Sequence, residues 1–288
     1  MFEHNESLQQ AITRNVHDAL MEDIGTGDWT AKLVPENKPA HAKLIVRQDA
    51  ILCGIDWFEG VFHALDRQAV IRWHYQEGEW MKANTTVCEI DADARALLSA
   101  ERPAMNFLQS LSFTATITRQ HVDAIAGASP NPRACAVLDT RKTIPGLRQA
   151  QKYAVRIGGG QNQRMALWDG ILIKENHIAA AGSIGAVLNA AQALHAEVDV
   201  QIEVETLDEL SEALSAGAKS ILLDNFSLEQ MREAVKINAG SALLEASGGI
   251  SIEQLRAIAA TGVDRISIGK LTKDIQAIDY SMRIDPLN

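Results

Sequence analysis

Positive charge is concentrated in one short segment of an acidic chain. The segment DTRKTIPGLRQAQKYAVRIGGGQNQR, residues 139–164, belongs to a sequence whose formal net charge is -10. Its basic residues are Arg141, Lys142, Arg148, Lys152, Arg156 and Arg164. Arginine guanidinium groups form paired hydrogen bonds with carboxylates and phosphates, so this composition suits an anion-binding site. The alternative is a solvated helix face.

Spacing divides this basic segment into two parts. Arg148, Lys152 and Arg156 recur every four residues, and we interpret them as an outer or dimer-facing stripe of a helix. The glycine run 158–160 follows that helix rather than a strand, so it indicates a helix end and a tight turn, not a nucleotide-binding loop. The cations on either side of the helix are the better candidates for a ligand site.

Charged side chains also close several short apolar runs in the second half of the chain. Lys174, Glu203 and Asp224 stand at or near the ends of GILIKEN, VQIEVET and SILLDNF. Each fits a structural ion pair, and the three are able to neutralise one another. The same position is nevertheless polar in run after run, which a packed interior does not require. The repetition favours a shared site.

Small residues follow the last two runs. Ser247, Gly248 and Gly249 lie between an apolar run and a helical pattern, while Ser267 and Gly269 end the final run. Backbone N–H groups at such turns bind anions. In α/β barrels the loops after the last two strands commonly form a phosphate site. The two clusters therefore predict phosphate binding.

The elements that must position these residues follow from periodicity. After about Pro132, six apolar runs alternate with helical patterns rich in Ala, Leu and Glu, which predicts βα repeats and a parallel sheet. In VQIEVET, Ile202 and Val204 face one way and Gln201 and Glu203 the other. Polar groups near the carboxyl ends of five or six strands favour a barrel over an open doubly wound sheet.

The first part of the chain has another pattern. Apolar residues spaced four apart predict an amphipathic helix over residues 8–20 that stops near Gly25. Short strand-like runs between residues 41 and 90 surround one helix near Trp57–Leu65. Residues 100–121 are predicted to be helical, with Pro103 in the first turn.

Composition excludes several classes of function. A sequence pI of about 5.3 argues against general binding of nucleic acid or of membrane surfaces, both of which need a broad cationic face. The N-terminus does not have the pattern of a secretory signal and no run has the length of a membrane span, so we expect a cytoplasmic protein. Cys53, Cys88 and Cys135 are isolated and give no zinc motif.

Several motifs together resemble the quinolinate phosphoribosyltransferase family. They are MEDIGTGDWTAKLVPEN, LLSAERPAMNFLQSLS, LDTRKTIPGLR, KYAVRIGGGQNQR, ILIKENHI, IEVET, LLDNFS, EASGGI and ISIGKLTK. The resemblance covers nearly the whole chain, and the LDTRKTIPGLR element is highly specific. It implies an α/β protein with an α+β, sandwich-like N-terminal domain and an incomplete α/β barrel. We place these domains at residues 1–115 and 116–275, with a tail, residues 276–288, packing back on the N-terminal domain.

The resemblance also implies a reaction. The substrates would be quinolinate and phosphoribosyl pyrophosphate, and the products nicotinate mononucleotide, pyrophosphate and carbon dioxide, in NAD biosynthesis. Mg²⁺ would act on the pyrophosphate. Family members are typically homodimers in which the N-terminal domain of one subunit covers the barrel mouth of the other, so shared active sites are expected.

Residue by residue, the resemblance implies a set of roles. Substrate binding falls to Arg102, Thr140, Arg141, Lys142, Gln163, Arg164, Lys174, Glu203 and Asp224, and within this set Lys142, Lys174, Glu203 and Asp224 are the catalytic candidates. Arg102 would come from the neighbouring subunit. Glu203 and Asp224 would lie near the ribose and the metal, which they contact directly or through pyrophosphate. Ser247, Gly248, Gly249, Ser267 and Gly269 would hold the 5-phosphate.

The sequence departs from the family pattern at two positions. Gln163 stands where a histidine usually precedes the arginine, and a neutral amide cannot become cationic. Lys270 stands where a small residue is common. Two other functions stay open on the sequence: a non-catalytic paralogue that binds a pyridine carboxylate, and a barrel aldolase with Lys174 as its Schiff-base amine.

Overall fold

The computed structural model describes residues 5–285, which divide into two units. The first unit contains the described residues up to Ile117, the segment Thr143–Gly159 and the described residues from Thr272 onward. The second contains Thr118–Lys142 and Gly160–Leu271. The segment Thr143–Gly159 lies inside the range 116–275 that we predicted for the barrel domain.

The helices and strands alternate along most of the chain. The helices are α1 (Leu8–Asp23), α2 (Ile55–Leu65), α3 (Ala94–Ile125), α4 (Arg148–Ile157), α5 (Glu175–Ala181), α6 (Ile184–Ala193), α7 (Leu207–Ser215), α8 (Leu228–Asn238), α9 (Ile252–Ala259) and α10 (Lys270–Lys273), with a 3-10 turn at Ala31–Leu33. The strands are β1 (Pro39–Val46), β2 (Ala50–Ile51), β3 (Val70–Trp73), β4 (Trp80–Met81), β5 (Thr85–Asp93), β6 (Ala136–Leu138), β7 (Gly170–Ile173), β8 (Asp199–Val204), β9 (Ser220–Asp224), β10 (Leu243–Ser247), β11 (Arg265–Ser267) and β12 (Tyr280–Ile284).

The first unit is built on an antiparallel sheet of order β12-β1-β5-β3. Strand β1 alternates buried and more exposed residues, as its two-residue period requires. It pairs with β5 on one side and with β12 on the other, so the end of the chain joins the same sheet as its beginning. Trp57, Phe58 and Phe62 on α2 are fully buried in the core of this unit.

Helix α3 begins earlier than the sequence pattern indicated. It starts at Ala94, so Pro103 lies inside the helix and the prediction that Pro103 opens it is wrong. The cause is Asp93, whose carboxylate accepts hydrogen bonds from the backbone N–H groups of Arg95 and Ala96. Such a cap satisfies N–H groups that have no partner within the helix.

Helix α4 carries part of the basic segment, and its cations are not a simple outer stripe. Lys152 is fully buried, which overturns the interpretation of an exposed stripe at that position, while Arg156 is exposed. The turn after the helix is confirmed: Gly158 and Gly159 donate to the carbonyls of Ala154 and Arg156, and Gly159 has a φ of 89°. A left-handed residue at a helix end favours glycine.

The second unit is a parallel sheet of order β6-β11-β10-β9-β8-β7 with intervening helices. This arrangement confirms the predicted α/β class: an antiparallel-sheet domain is followed by a parallel α/β domain. Gln161 bridges β6 in parallel at Leu138, and the Arg164 guanidinium donates to the carbonyl of Gly170 at the start of β7. The return segment 160–164 therefore contacts both edge strands of this six-stranded sheet.

Candidate functional site

The predicted site residues of the second unit lie at the carboxyl ends of its strands. Thr140, Arg141 and Lys142 follow β6, Gln163 and Arg164 lie in the return segment, Lys174 follows β7, Glu203 lies in β8, Asp224 ends β9, Ser247–Gly249 end β10, and Ser267–Gly269 end β11. Parallel strands bring these ends to one edge of the sheet. The exception is Arg102, which is exposed on α3 in the first unit. Its predicted role in a neighbouring subunit stays a prediction.

Lys174 and Glu203 form an ion pair across the adjacent strands β7 and β8. Their Nζ and Oε2 atoms are 2.6 Å apart, and the Glu203 side chain is only 10% exposed. Lys174 also begins helix α5, and its backbone N–H donates to Nδ1 of His177. This bond gives His177 a structural role at the start of the helix. The pairing holds a carboxylate with its cation at the end of the sheet.

Arg141 and Arg164 are two cations held near each other. Burial lowers the pKa of Arg164, and the positive charge of Arg141 lowers it further. Two guanidinium groups in one partly buried place repel each other unless an anion lies between or beside them. The end of β6 and the return segment therefore carry two nearby positive charges, which suits a carboxylate or phosphate ligand.

A buried carboxylate fixes the return segment beside β6. Asp139, fully buried, accepts hydrogen bonds from the backbone N–H of Gln163 at 3.0 Å and from Nδ2 of Asn162 at 2.5 Å. The adjacent residues Thr140 and Arg141 belong to the same strand end. Asp139 therefore determines where Gln163 and the arginine after it reach the sheet edge.

Lys142 and Gly269 are in close contact at the ends of β6 and β11. A Cβ atom at Gly269 would lie 2.9 Å from Cδ of Lys142 and 3.5 Å from Oγ1 of Thr140. The same Thr140 hydroxyl accepts the backbone N–H of Lys142 at 3.1 Å. The small residue predicted for phosphate binding thus also leaves room for the lysine stem.

Asp224 is oriented by its neighbour Asn225, which the sequence analysis did not select. Nδ2 of Asn225 donates to the Asp224 carboxylate at 2.8 Å, and its backbone N–H donates to the carbonyl of Ser247. Asn225 has a φ of 55°, in the left-handed region that asparagine tolerates better than most residues. It packs directly against Gly248. In the sequence, the only indication of this role was that Asn225 directly follows Asp224 at the end of the apolar run SILLDNF.

A polar chain inside the sheet was also missed. Nε2 of Gln163 donates to Oε1 of Gln201 at 2.9 Å, and Nε2 of Gln201 donates to Oε2 of Glu245 at 2.9 Å. Gln201 was predicted to face away from the apolar side chains, but Glu245 in β10 was not considered. Glu245 lies in β10 and its partner Gln201 in β8, so β9 separates the two strands in the sheet.

The carboxylates do not form a cage for a metal ion. Among residues 5–285, no group of three or more His, Cys, Asp or Glu side chains is arranged to hold a metal. Glu203 is engaged by Lys174, and Asp224 by Asn225. In the same described range no helix is long and apolar enough to cross a membrane.

Comparison with known proteins gives consistent matches over nearly the whole chain. The family model described as quinolinate phosphoribosyl transferase, N-terminal domain, matches residues 28–112, and that of the C-terminal domain matches residues 114–283. The chain is 40% identical over 265 residues to the probable nicotinate-nucleotide pyrophosphorylase (carboxylating) of Bacillus subtilis, covering 92% of this chain and 90% of the relative.

Two further relatives agree. The nicotinate-nucleotide pyrophosphorylase (carboxylating) of Mycobacterium leprae is 37% identical over 284 residues, which cover 96% of this chain and 97% of the relative. The solved structure of the nicotinate-nucleotide pyrophosphorylase from Francisella tularensis is similar with a TM-score of 0.90 and 43% identity, over 98% of each chain.

The contact between Asn225 and Gly248 predicts a selective effect of substitution. Gly248→Ala would place a Cβ 2.9 Å from the backbone nitrogen of Asn225, at a φ of 109°. We expect a loss of about 2–3 kcal/mol in the free energy of unfolding, because overpacking and a left-handed alanine each destabilise. Denaturant unfolding of the purified variant measures this loss.

Gly249→Ala is the matched control for this prediction. Gly249 also has a positive φ, 55°, but no atom lies within 4 Å of a Cβ at that position. We expect a cost of about 1–2 kcal/mol from the backbone conformation alone. Equal losses in the two variants would contradict the assigned role of the Asn225 contact.

Proposed function

The chain belongs to the quinolinate phosphoribosyltransferase family, and we propose that the carboxyl ends of strands β6–β11 form the site of the family's reaction. In that reaction the phosphoribosyl group of phosphoribosyl pyrophosphate passes to quinolinate, and decarboxylation yields nicotinate mononucleotide in NAD biosynthesis. The observation that carries this placement is the grouping of the predicted site residues at the carboxyl ends of these strands, where the cations Arg141 and Arg164 lie near each other. We propose a cytoplasmic enzyme that does not bind nucleic acid, in keeping with its acidic net charge.

Quinolinate carries two carboxylates on a planar ring. The partly buried guanidinium of Arg164, with Arg141 nearby, matches such groups in charge and in hydrogen-bonding geometry. Lys142, at the end of the same strand, adds a flexible third cation. Gln163 in the adjacent return segment contributes an uncharged amide. We assign this group of residues to quinolinate.

The phosphoribosyl donor carries a phosphate and a pyrophosphate. We assign its 5-phosphate to the turns Ser247–Gly249 and Ser267–Gly269, because backbone N–H groups in turns after the last strands of such a sheet suit phosphate oxygens. Gly248 and Gly249 both have positive φ. The two turns follow adjacent parallel strands, so they lie at the same edge of the sheet.

Glu203 and Asp224 are proposed to stabilise the ribose in the transition state. When the bond between C1 of the ribose and pyrophosphate breaks, positive charge develops on the ribose. Glu203 is next to last in β8 and Asp224 ends the neighbouring β9, and the two carboxylates are held in place by Lys174 and Asn225. Held carboxylates stabilise this charge without having to reorganise.

Decarboxylation needs little from the protein beyond positioning. Ribosylation makes the ring nitrogen of quinolinate cationic, and loss of carbon dioxide from C2 leaves an electron pair beside that nitrogen. The substrate therefore supplies its own electron sink. The chain's contribution is to hold both substrates in the required orientation and to exclude water.

We propose Mg²⁺ as the cofactor, bound largely by pyrophosphate. Mg²⁺ prefers oxygen ligands and usually keeps several that do not come from the protein. Glu203 and Asp224, near the carboxyl ends of adjacent strands, would supply the protein's carboxylate oxygens. The bound cation would neutralise the charge of the leaving group.

Family membership argues against the two alternative functions that the sequence left open. The named relatives are pyrophosphorylases, which favours an enzyme of that kind over a non-catalytic paralogue or a Schiff-base aldolase. The ion pair of Lys174 with Glu203 gives that lysine a different role from a Schiff-base amine.

We further propose a homodimer in which Arg102 of one subunit contacts the substrates bound by the other.

The proposed reaction is tested by direct product analysis. Purified protein is incubated with quinolinate, phosphoribosyl pyrophosphate and Mg²⁺, and we expect nicotinate mononucleotide, pyrophosphate and carbon dioxide in equal amounts. Lys142→Ala should lower kcat/KM for quinolinate at least about tenfold, the effect of losing about 1.4 kcal/mol of transition-state binding. Lys236→Ala on the exposed face of α8 is the control and should retain activity. Quinolinate binding without any product would refute the proposal.

The shared site is tested by mixing two inactive variants. Random subunit exchange between Arg102→Ala and Lys174→Ala dimers should restore about a quarter of the wild-type activity, since half of the dimers are mixed and each has one intact site. Lys142→Ala mixed with Lys174→Ala is the control, because both residues belong to the same unit of one chain and no intact site forms. No recovery in the first mixture, despite proven exchange, argues that each site is built from one subunit.

A further inference from the structure

A buried polar layer crosses the interior of the second unit beneath the strand ends. Gln201 on β8 is 6% exposed and Glu245 on β10 is 1% exposed. Their neighbours along the chain, Ile202 and Leu244, are buried aliphatic residues on the opposite face of the sheet. Polar residues at such positions need partners.

The layer is a chain of hydrogen bonds that ends at the proposed substrate site. Gln163 donates to Gln201, and Gln201 donates to Glu245, each at 2.9 Å. Beyond Glu245, the Nε atom of Arg265 lies 3.6 Å from its Oε2, and Nη2 of Arg265 donates to Oγ of Ser220 at 2.7 Å. A continuous polar path therefore runs from the return segment into the centre of the unit.

The Glu245 carboxylate determines which group donates in each hydrogen bond of this series. Glu245 is paired with the Arg265 guanidinium, so as a carboxylate it accepts hydrogen bonds and donates none. Gln201 must then turn its NH₂ toward Glu245 and its carbonyl toward Gln163. Gln163 in turn must present its own NH₂ to Gln201. The Glu245 carboxylate thus determines the orientation of the Gln163 amide through Gln201.

Stability does not account for the layer. Oε1 of Glu245 and Nε of Arg265 are buried and make no hydrogen bond to any described residue. Unsatisfied buried polar atoms are destabilising, and replacing a buried ion pair by apolar residues of similar volume is often neutral or stabilising. A costly arrangement that leads to a proposed ligand contact suggests a role in binding.

We propose that Gln201 and Glu245 are positioning residues that fix the Gln163 amide for binding of a pyridine carboxylate. The inference rests on the proposed function, since it assigns quinolinate to the site that contains Gln163. An amide has no charge to attract the ligand, so its contribution depends on its orientation. Fixing that orientation before binding removes an entropic cost from association.

A double-mutant cycle with quinolinate as the probe tests the inference. Gln163→Ala should weaken quinolinate binding about tenfold by calorimetry. Gln201→Met leaves Glu245 and Arg265 in place and should produce a similar loss alone. In the Gln163→Ala background, however, Gln201→Met should cause no further loss, because Gln201 acts only through Gln163.

Two more variants complete the design. Glu245→Gln conserves volume but can donate as well as accept, so it releases the amide orientation and should behave in the cycle like Gln201→Met. Its thermal unfolding is measured alongside, and it provides the second cycle if Gln201→Met does not fold. Gln192→Met, at an exposed glutamine on α6 of the same unit, is the matched control and should leave binding unchanged.

The outcomes separate this inference from the proposed function. Additive losses in the cycle, or unchanged quinolinate affinity in Gln163→Ala, would overturn the positioning role while wild-type product formation still supports the reaction. Gln163→Ala removes the outermost donor of the layer but truncates only a half-buried side chain, so it is expected to fold and to report on binding even if both interior variants do not fold. Absence of quinolinate binding by the unsubstituted protein would overturn both.

Discussion

The proposed active site depends on the Asp139 carboxylate, which holds the return segment 160–164 beside β6. Asp139 is fully buried at the end of β6 and accepts hydrogen bonds from the return segment through Gln163 and Asn162. These bonds bring Arg164 toward Arg141, although the two positive charges repel. Leaving a buried carboxylate without hydrogen-bond partners costs free energy, so the hydrogen bonds of Asp139 hold the return segment firmly beside β6. The repulsion is what a bound anion then relieves.

Much of this arrangement was predictable from local pattern. The two-residue alternation in VQIEVET and SILLDNF placed Glu203 and Asp224 away from the aliphatic face, and the repeated apolar runs predicted the parallel sheet. The sequence could group polar residues at strand ends into one predicted site, because parallel strands place their carboxyl ends at the same edge of the sheet. The pairing of Lys174 with Glu203 was one of the neutralising pairs that the sequence left open.

Other features depend on contacts that a sequence pattern does not contain. The spacing of Arg148, Lys152 and Arg156 indicates one helix face, but it does not say what covers that face, and Lys152 is buried. Gln201 and Glu245 meet across β9, so their contact depends on strand register and sheet curvature. Asn225 reaches Asp224 through a left-handed backbone conformation that local composition does not specify.

Family membership and the structure together give a specific view of Gln163. Where the resemblance to the family led us to expect a histidine, this chain has an amide that donates to Gln201, which in turn donates to the Glu245 carboxylate. The direct measurement is a crystal structure with quinolinate bound. We expect its carboxylates within about 3 Å of the charged nitrogens of Arg141, Lys142 or Arg164. Quinolinate bound only away from the ends of β6–β11, with these side chains unengaged, would contradict the proposed site.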